Sequence, residues 1–315
     1  MNKLRLCIIT PVFNEEQIIR GFYLRLKEVL EALENVESKI LFVVDPCTDE
    51  TVFRLREIIS HDSRCSAIVM SSRFGHQKCL LAGIEASVDM DAIIMMDCDL
   101  QHPPELIPIL LDNFNDGADV VYTVRAETQE VSLPRKIAGN LFYYLLNILS
   151  QVNINSNSAD FRLISHRVAR TLVVDFKERD LFLRGIFPWI GFKQIGVEFI
   201  AERRGAGNSK YSLAKMFGLG LSGIMSFSTK PLKIGIFIGL GFAFCAFLLL
   251  LWSILAYFLE RTLPSGWTTI IVVSLLFSGI QLIVLGIIGS YIGGIYEEVK
   301  NRPRYIIEEK IENNE

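Results

Sequence analysis

Asp97-Cys98-Asp99 stands directly after the apolar run Ala92–Met96. Two carboxylates at i and i+2 on a strand end reach one hard cation together, and Mg²⁺ and Mn²⁺ take oxygen ligands that bridge to phosphates. An Asp-x-Asp pattern alone is common in solvated turns. Its position at a strand end, with Leu100-Gln101-His102-Pro103-Pro104-Glu105 opening a helix behind it, favours cation binding by Asp97 and Asp99. Asp45 and Asp49 bracket Pro46-Cys47-Thr48 after another apolar run. Asp49 suits the N-cap of a helix over Glu50–Ile59, which leaves Asp45 free to accept hydrogen bonds from a nucleoside. Asp160-Phe161-Arg162 has no local structural purpose legible in the sequence. Arg203, Arg204 and Lys210 gather just ahead of a long apolar stretch. Such a cluster either contacts anionic lipid or holds the phosphate of a lipid substrate, with Arg giving bidentate contact.

The elements that must position these residues alternate. Strand-like runs at Leu4–Thr10, Ile40–Asp45, Ala67–Ser71, Ala92–Asp97 and Asp119–Thr123 are separated by helical patterns at Glu15–Leu33, Glu50–Ile59 and Gln77–Ser87. This spacing predicts an α/β domain with a mostly parallel, doubly wound sheet. Ligands in such sheets bind beyond the C-terminal strand ends. The segments expected there are 11–16, 45–51, 72–77 and 97–105, all polar and three of them acidic.

Half of the 315 residues are hydrophobic and 21% are charged, which excludes a disordered chain and is apolar for an ordinary soluble enzyme. A formal net charge of −3 argues against a nucleic-acid binder. The six cysteines form no CxxC pair and no cluster with histidine, so reduced, buried thiols are expected rather than disulfides or zinc. The opening residues, with Lys3 and Arg5, do not read as a secretory signal.

The apolar excess lies late in the chain. The 26 residues between Lys233 and Glu260 and the 35 between Arg261 and Glu297 carry no charge. Each run exceeds the roughly 20 residues that cross a bilayer as a helix. Spans are expected at about 234–258 and 268–291. Lys210, Lys215, Lys230 and Lys233 flank one side, and Lys300, Arg302, Arg304 and Lys310 the other, so the positive-inside rule predicts both flanks in the cytoplasm. Pro134–Gln151 and Leu213–Ser228 suit helices lying in the headgroup plane or packed on the sheet. Gly218-Leu-Gly220-Leu-Ser-Gly223 matches a dinucleotide fingerprint but follows no strand, so it is set aside. The four histidines show no metal-binding spacing. Gly235–Gly239 and Gly289–Gly293 are GxxxG pairs suited to helix contact.

Taken together, these segments resemble the GT-A, family 2 glycosyltransferases that act on polyprenyl phosphates. The resemblance spans nearly the whole chain. Pro11-Val-Phe-Asn14-Glu15-Glu16 looks like the family's nucleotide-binding opening, and Ser72-Arg73-Phe-Gly75-His-Gln77 like its third-strand loop. Met96-Asp97-Cys-Asp99-Leu-Gln101-His-Pro-Pro-Glu105 is similar to its metal motif, and Asp160-Phe161-Arg162-Leu163 to its acceptor-side motif. Phe182-Leu-Arg184-Gly185, Trp189-Ile-Gly191-Phe192 and Arg204-Gly-Ala-Gly207-Asn-Ser209-Lys210-Tyr211 follow in order, the last resembling a phosphate-binding stretch. Two motifs depart. The family's DDGS is here Val44-Asp45-Pro46-Cys47, and its GEYxGR is Gly289-Ser290-Tyr291-Ile-Gly293-Gly294.

The resemblance implies a GT-A catalytic domain over 1–212, an interfacial segment over 213–233, a two-helix hairpin over 234–296 and a cytoplasmic tail over 297–315. It implies a nucleotide-sugar donor contacted by Pro11, Asn14, Glu15, Asp45, Arg73 and Asp97. Mg²⁺ or Mn²⁺ would sit on Asp97 and Asp99, with Asp99 and Asp160 catalytic. A polyprenyl-phosphate acceptor would be held by Arg162, Arg204, Ser209 and Lys210. A UDP-glucose-like donor, inversion at the sugar, membrane lipid contact, a bacterial inner-membrane setting and a homo-oligomer, by resemblance a tetramer, complete the expectation. The QxxRW motif of processive members is absent, which favours transfer of one sugar over a polysaccharide synthase. A non-catalytic scaffold or sensor would not need Asp97, Asp99, Asp160, Arg204 and Lys210 together.

Overall fold

The computed structural model describes residues 3–126, 158–179, 181–200, 228–258 and 266–313. Arg203, Arg204, Ser209, Lys210 and both candidate interfacial segments, save Ser228, lie outside them. The described residues fall into two compact units. One comprises 3–126, 158–200 without 180, and 302–313. The other comprises 228–258 and 266–301.

The first unit is built on eight strands: β1 (Leu4–Val12), β2 (Val36–Val44), β3 (Cys65–Met70), β4 (Ala92–Met95), β5 (Val120–Arg125), β6 (Ser158–Ser165), β7 (Gln194–Phe199) and β8 (Ile307–Ile311). They lie in the order β7-β5-β6-β4-β1-β2-β3-β8. The pairs β1–β2, β1–β4, β2–β3 and β5–β7 are parallel, whereas β6 runs antiparallel to β4 and β5, and β8 antiparallel to β3. The central strands are covered on both faces, so they are continuously apolar: Leu6, Ile8, Ile9 and Ile40 to Val44 are all buried. Helices α1 (Ile19–Glu31), α2 (Thr51–His61), α3 (His76–Ala86) and α4 (Ile107–Asn115) follow β1 to β4, and α5 (His166–Val174) and α6 (Leu183–Trp189) follow β6. Gly83 lets α3 lie close on the sheet, because a Cβ there would stand 2.3 Å from Ile9 Cγ2.

Proline is normally excluded from a central strand because it cannot donate to the ladder. Here Ile9 O accepts from Met96 N, so Pro11, two residues on, faces the same side, where the register of β4 has already ended at Met95 opposite Ile9. The missing donor therefore costs no ladder bond.

The stretch 297–315, expected as a tail, instead carries β8. Ser71 N donates to Ile306 O, Ile311 is buried against the sheet, and Arg56 pairs with Glu309 at 2.6 Å. Just before β8, Arg304 and Tyr305 both hold Glu85 of α3, and Arg304 also donates to Phe176 O. Two ion pairs and a phenol thus attach a segment whose own sequence, Ile-Glu-Glu-Lys-Ile, has little apolar area to bury.

The second unit contains α7 (Lys230–Phe258) and α8 (Trp267–Val299), both long and apolar enough to cross a membrane. Their described side chains are almost all exposed, Phe237 and Leu275 among them. An all-round apolar helix with no covering protein is the pattern lipid satisfies. The helices touch through Phe242 and Phe277, edge-on at 5.1 Å between centroids, and through Gly235, whose Cβ position lies 3.5 Å from Val284. Within the chain, Gly239, Gly289 and Gly293 face open space. Tyr291 Oη donates to Ser228 O at 2.6 Å, which ties the two ends of the unit together.

Candidate active site

The C-terminal ends of β1 to β4 bring the polar segments together as the alternation predicts. The β1–α1 and β2–α2 loops are laced to each other. Asn14 sits at φ 55°, a left-handed conformation that asparagine tolerates. Its amide exchanges bonds with Thr48, accepting from Thr48 N at 2.9 Å and donating to Thr48 Oγ1 at 3.0 Å. Glu15 N donates to Thr51 Oγ1. Asp49 accepts from Thr51 N, Thr51 Oγ1 and Glu16 N. Burial opposes its ionisation, but those donors outweigh it and hold its carboxyl below the usual range. The N-cap of α2 is Glu50, so Asp49 acts one residue earlier than expected, as the acceptor of a turn that joins two loops.

Asp45 is not free, as the sequence had suggested. It is buried, and its two oxygens accept from Phe74 N at 3.1 Å and Gly75 N at 3.0 Å, with Cys79 Sγ at 3.4 Å. Gly75 stands at φ 90°, where a side chain would be strained. Asp45 therefore fixes the loop that carries Arg73 and His76. Arg73 is exposed and stacks 3.9 Å over the Phe13 ring. Replacing Asp45 with alanine leaves two half-buried N–H donors without their acceptor, a cost of about 1–3 kcal/mol. The expected outcome is a lowered melting temperature together with a several-fold higher donor KM; an unchanged donor KM would detach this loop from donor binding.

The metal-motif acids follow β4. Asp97 N donates to His102 Nδ1 at 3.2 Å, and His102 stacks on Phe161 at 5.5 Å, so a buried neutral imidazole shapes the turn. Burial is what keeps His102 below its ordinary pKa. Leu100 takes φ 62°, and Asp99, also buried, accepts from Gln101 N at 3.1 Å.

Because β6 is antiparallel to β4 with Met95 opposite Arg162, two more residues along the register place Asp97 opposite Asp160. Between these acids sits His76, the first residue of α3. Its Nε2 lies 2.7 Å from Asp97 Oδ1 and its Nδ1 lies 3.9 Å from Asp160 Oδ2. Burial opposes charge on His76, yet Asp97 and Asp160 overcome it and push the imidazole up to about 9. Burial likewise opposes ionisation of Asp97, but His76 holds its carboxyl down at about 2. Asp160 is gripped by Arg184 in a two-point contact, Nε to Oδ1 at 2.8 Å and Nη2 to Oδ2 at 2.6 Å. Despite its burial, Arg184, His76 and Arg162 keep it far below the usual carboxylate range. Gln77 accepts from Leu183 N at 2.9 Å, which seats the start of α6, and hence Arg184, against the start of α3.

Arg162, expected on the acceptor phosphate, is instead buried. It lies 4.3 Å over the Phe187 ring and donates to Ala159 O at 3.1 Å. It alternates with Asp160 on one face of β6, and its role in the described residues is to neutralise that acid from below. Burial lowers its pKa to about 10. Three thiols, Cys47, Cys79 and Cys98, line the same region, and burial raises all three above the ordinary thiol value. They are packing groups, as the cysteine spacing implied.

Among the described residues no three of His, Cys, Asp and Glu converge into a metal cage. Asp97 and Asp99 nevertheless fit Mg²⁺ or Mn²⁺ in donor type. Such ions are commonly held by one or two carboxylates, with water and substrate phosphates completing the shell.

Comparison with known proteins agrees with this fold. Residues 7–173 match the profile of Glycosyl transferase family 2. The chain is 41% identical to an uncharacterized glycosyltransferase, YkcC, of Bacillus subtilis, over 96% of this chain and 92% of that one. It is 36% identical to the SfII prophage-derived bactoprenol glucosyl transferase of Shigella flexneri, over 99% and 100%. It is also 36% identical to the prophage bactoprenol glucosyl transferase homolog of Escherichia coli K12, over 96% and 98%. Among solved structures, glucosyl-3-phosphoglycerate synthase of Mycobacterium tuberculosis aligns over 70% of this chain and 76% of its own, at TM-score 0.47 and 16% identity. The chain belongs to glycosyl transferase family 2, with the GT-A-like mixed sheet that its sequence implied.

Proposed function

We propose that the protein transfers a single glucose from a UDP-glucose-like donor to a membrane polyprenyl phosphate, inverting the anomeric centre. The observation that carries this is the meeting of Asp97, Asp160 and Arg184 at the strand ends, in a chain that also has two membrane-length apolar helices. Relatives of near-equal length named bactoprenol glucosyl transferase support the choice of sugar and acceptor.

In this reading an oxygen of the acceptor phosphate attacks the sugar carbon, and the bond from that carbon to the nucleoside diphosphate breaks. A phosphate monoester with a second pKa near 6 is largely dianionic at neutral pH and gives up no proton to become nucleophilic. Asp160, locked to Arg184 and a poor base, orients rather than deprotonates. Asp97 and Asp99 would hold Mg²⁺ or Mn²⁺, which supplies charge compensation for the departing diphosphate. The β1–α1, β2–α2 and β3–α3 loops, tied together by Asn14, Asp49 and Asp45, form the nucleotide rim. Arg204, Ser209 and Lys210 are assigned to the acceptor phosphate on sequence grounds. The flanking charges support a cytoplasmic catalytic unit, and the bactoprenol-named bacterial relatives support a bacterial inner membrane.

Purified protein in lipid nanodiscs, given polyprenyl phosphate and a panel of nucleotide sugars, should form polyprenyl-phosphate glucose from UDP-glucose, with one sugar per lipid. Absence of transfer from every donor would overturn the reading, and multiply glycosylated lipid would favour a polymerising enzyme. For topology, Ser265→Cys in intact cells should react with an impermeant maleimide, the outcome the positive-inside rule predicts. Protection of that cysteine, with labelling of one introduced at Asn313→Cys instead, would reverse the orientation.

A further inference from the structure

We infer that His76 is a positioning residue that registers the metal-holding carboxylate Asp97 against the acceptor-side carboxylate Asp160. The inference rests on the proposed glycosyl transfer and deepens it.

The geometry is specific. His76 is the only side chain among the described residues seen to approach both acids with separate ring nitrogens, Nε2 to Asp97 at 2.7 Å and Nδ1 to Asp160 at 3.9 Å. The approach to Asp97 is a hydrogen bond; the one to Asp160 is longer than a hydrogen bond. The ring has little freedom to be elsewhere. The two residues before it, Phe74 and Gly75, are fixed by their backbone N–H groups on Asp45. The residue after it, Gln77, receives Leu183 N, one residue before the Arg184 that clamps Asp160. Asp45, Asp97 and Asp160 come from β2–α2, β4–α4 and β6. A single short segment, 74–77, touches the neighbourhood of all three.

Carboxylates that bind metal depend on neighbouring hydrogen bonds for orientation, and loss of such a partner typically costs about 10–100-fold in metal affinity or activity. The neighbour here is addressed through Nε2. A glutamine amide reaches about as far from the backbone as Nε2, whereas an asparagine amide stops near the Nδ1 position. Two substitutions of nearly equal polarity therefore separate orientation of Asp97 from a general need for a polar side chain.

The test uses full-length protein in nanodiscs. Mn²⁺ binding with nucleoside diphosphate present, read from the electron paramagnetic resonance of free Mn²⁺, is measured beside kcat and the KM for each substrate. His76→Asn should weaken Mn²⁺ binding and lower kcat by about tenfold or more, with the polyprenyl-phosphate KM little changed. His76→Gln should restore both to within a few-fold of the wild type. Equal behaviour of Gln and Asn, whether both active or both impaired at matched melting temperatures, would overturn the inference. Loss confined to the acceptor KM would do the same. Failure of the proposed function is distinct, since it would show as absence of glucosyl transfer in the wild-type arm itself.

Discussion

Asp99→Asn should reduce turnover by roughly two to three orders of magnitude while the protein stays folded and inserted. The substitution keeps the shape of the side chain, and its amide oxygen can still accept from Gln101 N as Asp99 does now. What it removes is one of two negative charges at the end of β4. A cation neutralising a leaving diphosphate contributes several kcal/mol to the barrier, and about 1.4 kcal/mol corresponds to a factor of ten. EDTA should abolish wild-type turnover, and Mg²⁺ or Mn²⁺ should restore it. Full activity in chelator, or an Asp99→Asn variant as fast as the wild type, would remove the metal from the account of this site.

Asp160→Asn should lower kcat by roughly a hundredfold even at saturating acceptor, since small displacements of a positioned substrate cost about that much. It should also destabilise the fold. The substitution takes the charge from the two-point contact with Arg184 and from the buried Arg162 below it. Breaking a buried pair costs roughly 3–5 kcal/mol, and the lower end applies because Arg184 keeps some contact with water. The pH dependence follows from the sign of the shift. The native carboxyl is held below its unfolded value, so its stabilising contribution is complete above the ordinary carboxylate range, about pH 4. That contribution is lost as pH falls through the depressed native value. Asp160 therefore keeps its charge throughout pH 5 to 8, and any acid limb of the rate in that window should belong to the acceptor phosphate near pH 6. The same limb should persist in Asp160→Asn. A limb that vanishes in the variant would make Asp160 a proton acceptor after all.

The site was legible in the sequence where function is local. Asp97 and Asp99 announce themselves by following an apolar run, and Pro11–Glu16 and Ser72–Gln77 by following two others. Asp160 was legible as a residue without local purpose. Its partner was not: Arg184 is 24 residues away, and the helix that carries it is seated by the bond from Leu183 N to Gln77, a contact that leaves no trace in the sequence. His76 has no metal-binding spacing to the other histidines, and its place between two acids depends on strand register, which residue type does not reveal. Asp45 was recognised but read as free, since hydrogen bonds to the backbone of residues 74 and 75 leave no trace in residue type. Arg162 was misjudged for the opposite reason. Arginine suggests a phosphate, and nothing local shows that this one is stacked on Phe187 inside the domain. The edge strand β8 escaped notice because Ile-Glu-Glu-Lys-Ile has too few apolar residues to read as sheet, and its pairing spans some 240 residues of chain.

That edge strand also dictates an order of events at the ribosome. Domains generally fold from the N-terminus as they emerge, but β3 waits for a partner encoded after both apolar helices. Strands β1 to β7 emerge first, the two long apolar helices next, and only then do Arg304, Tyr305 and β8 arrive to close over β3 and α3. During that interval the nascent sheet carries an open edge, the kind of surface that invites pairing with another chain. Completion of the first unit is thereby deferred until both apolar helices have been synthesised.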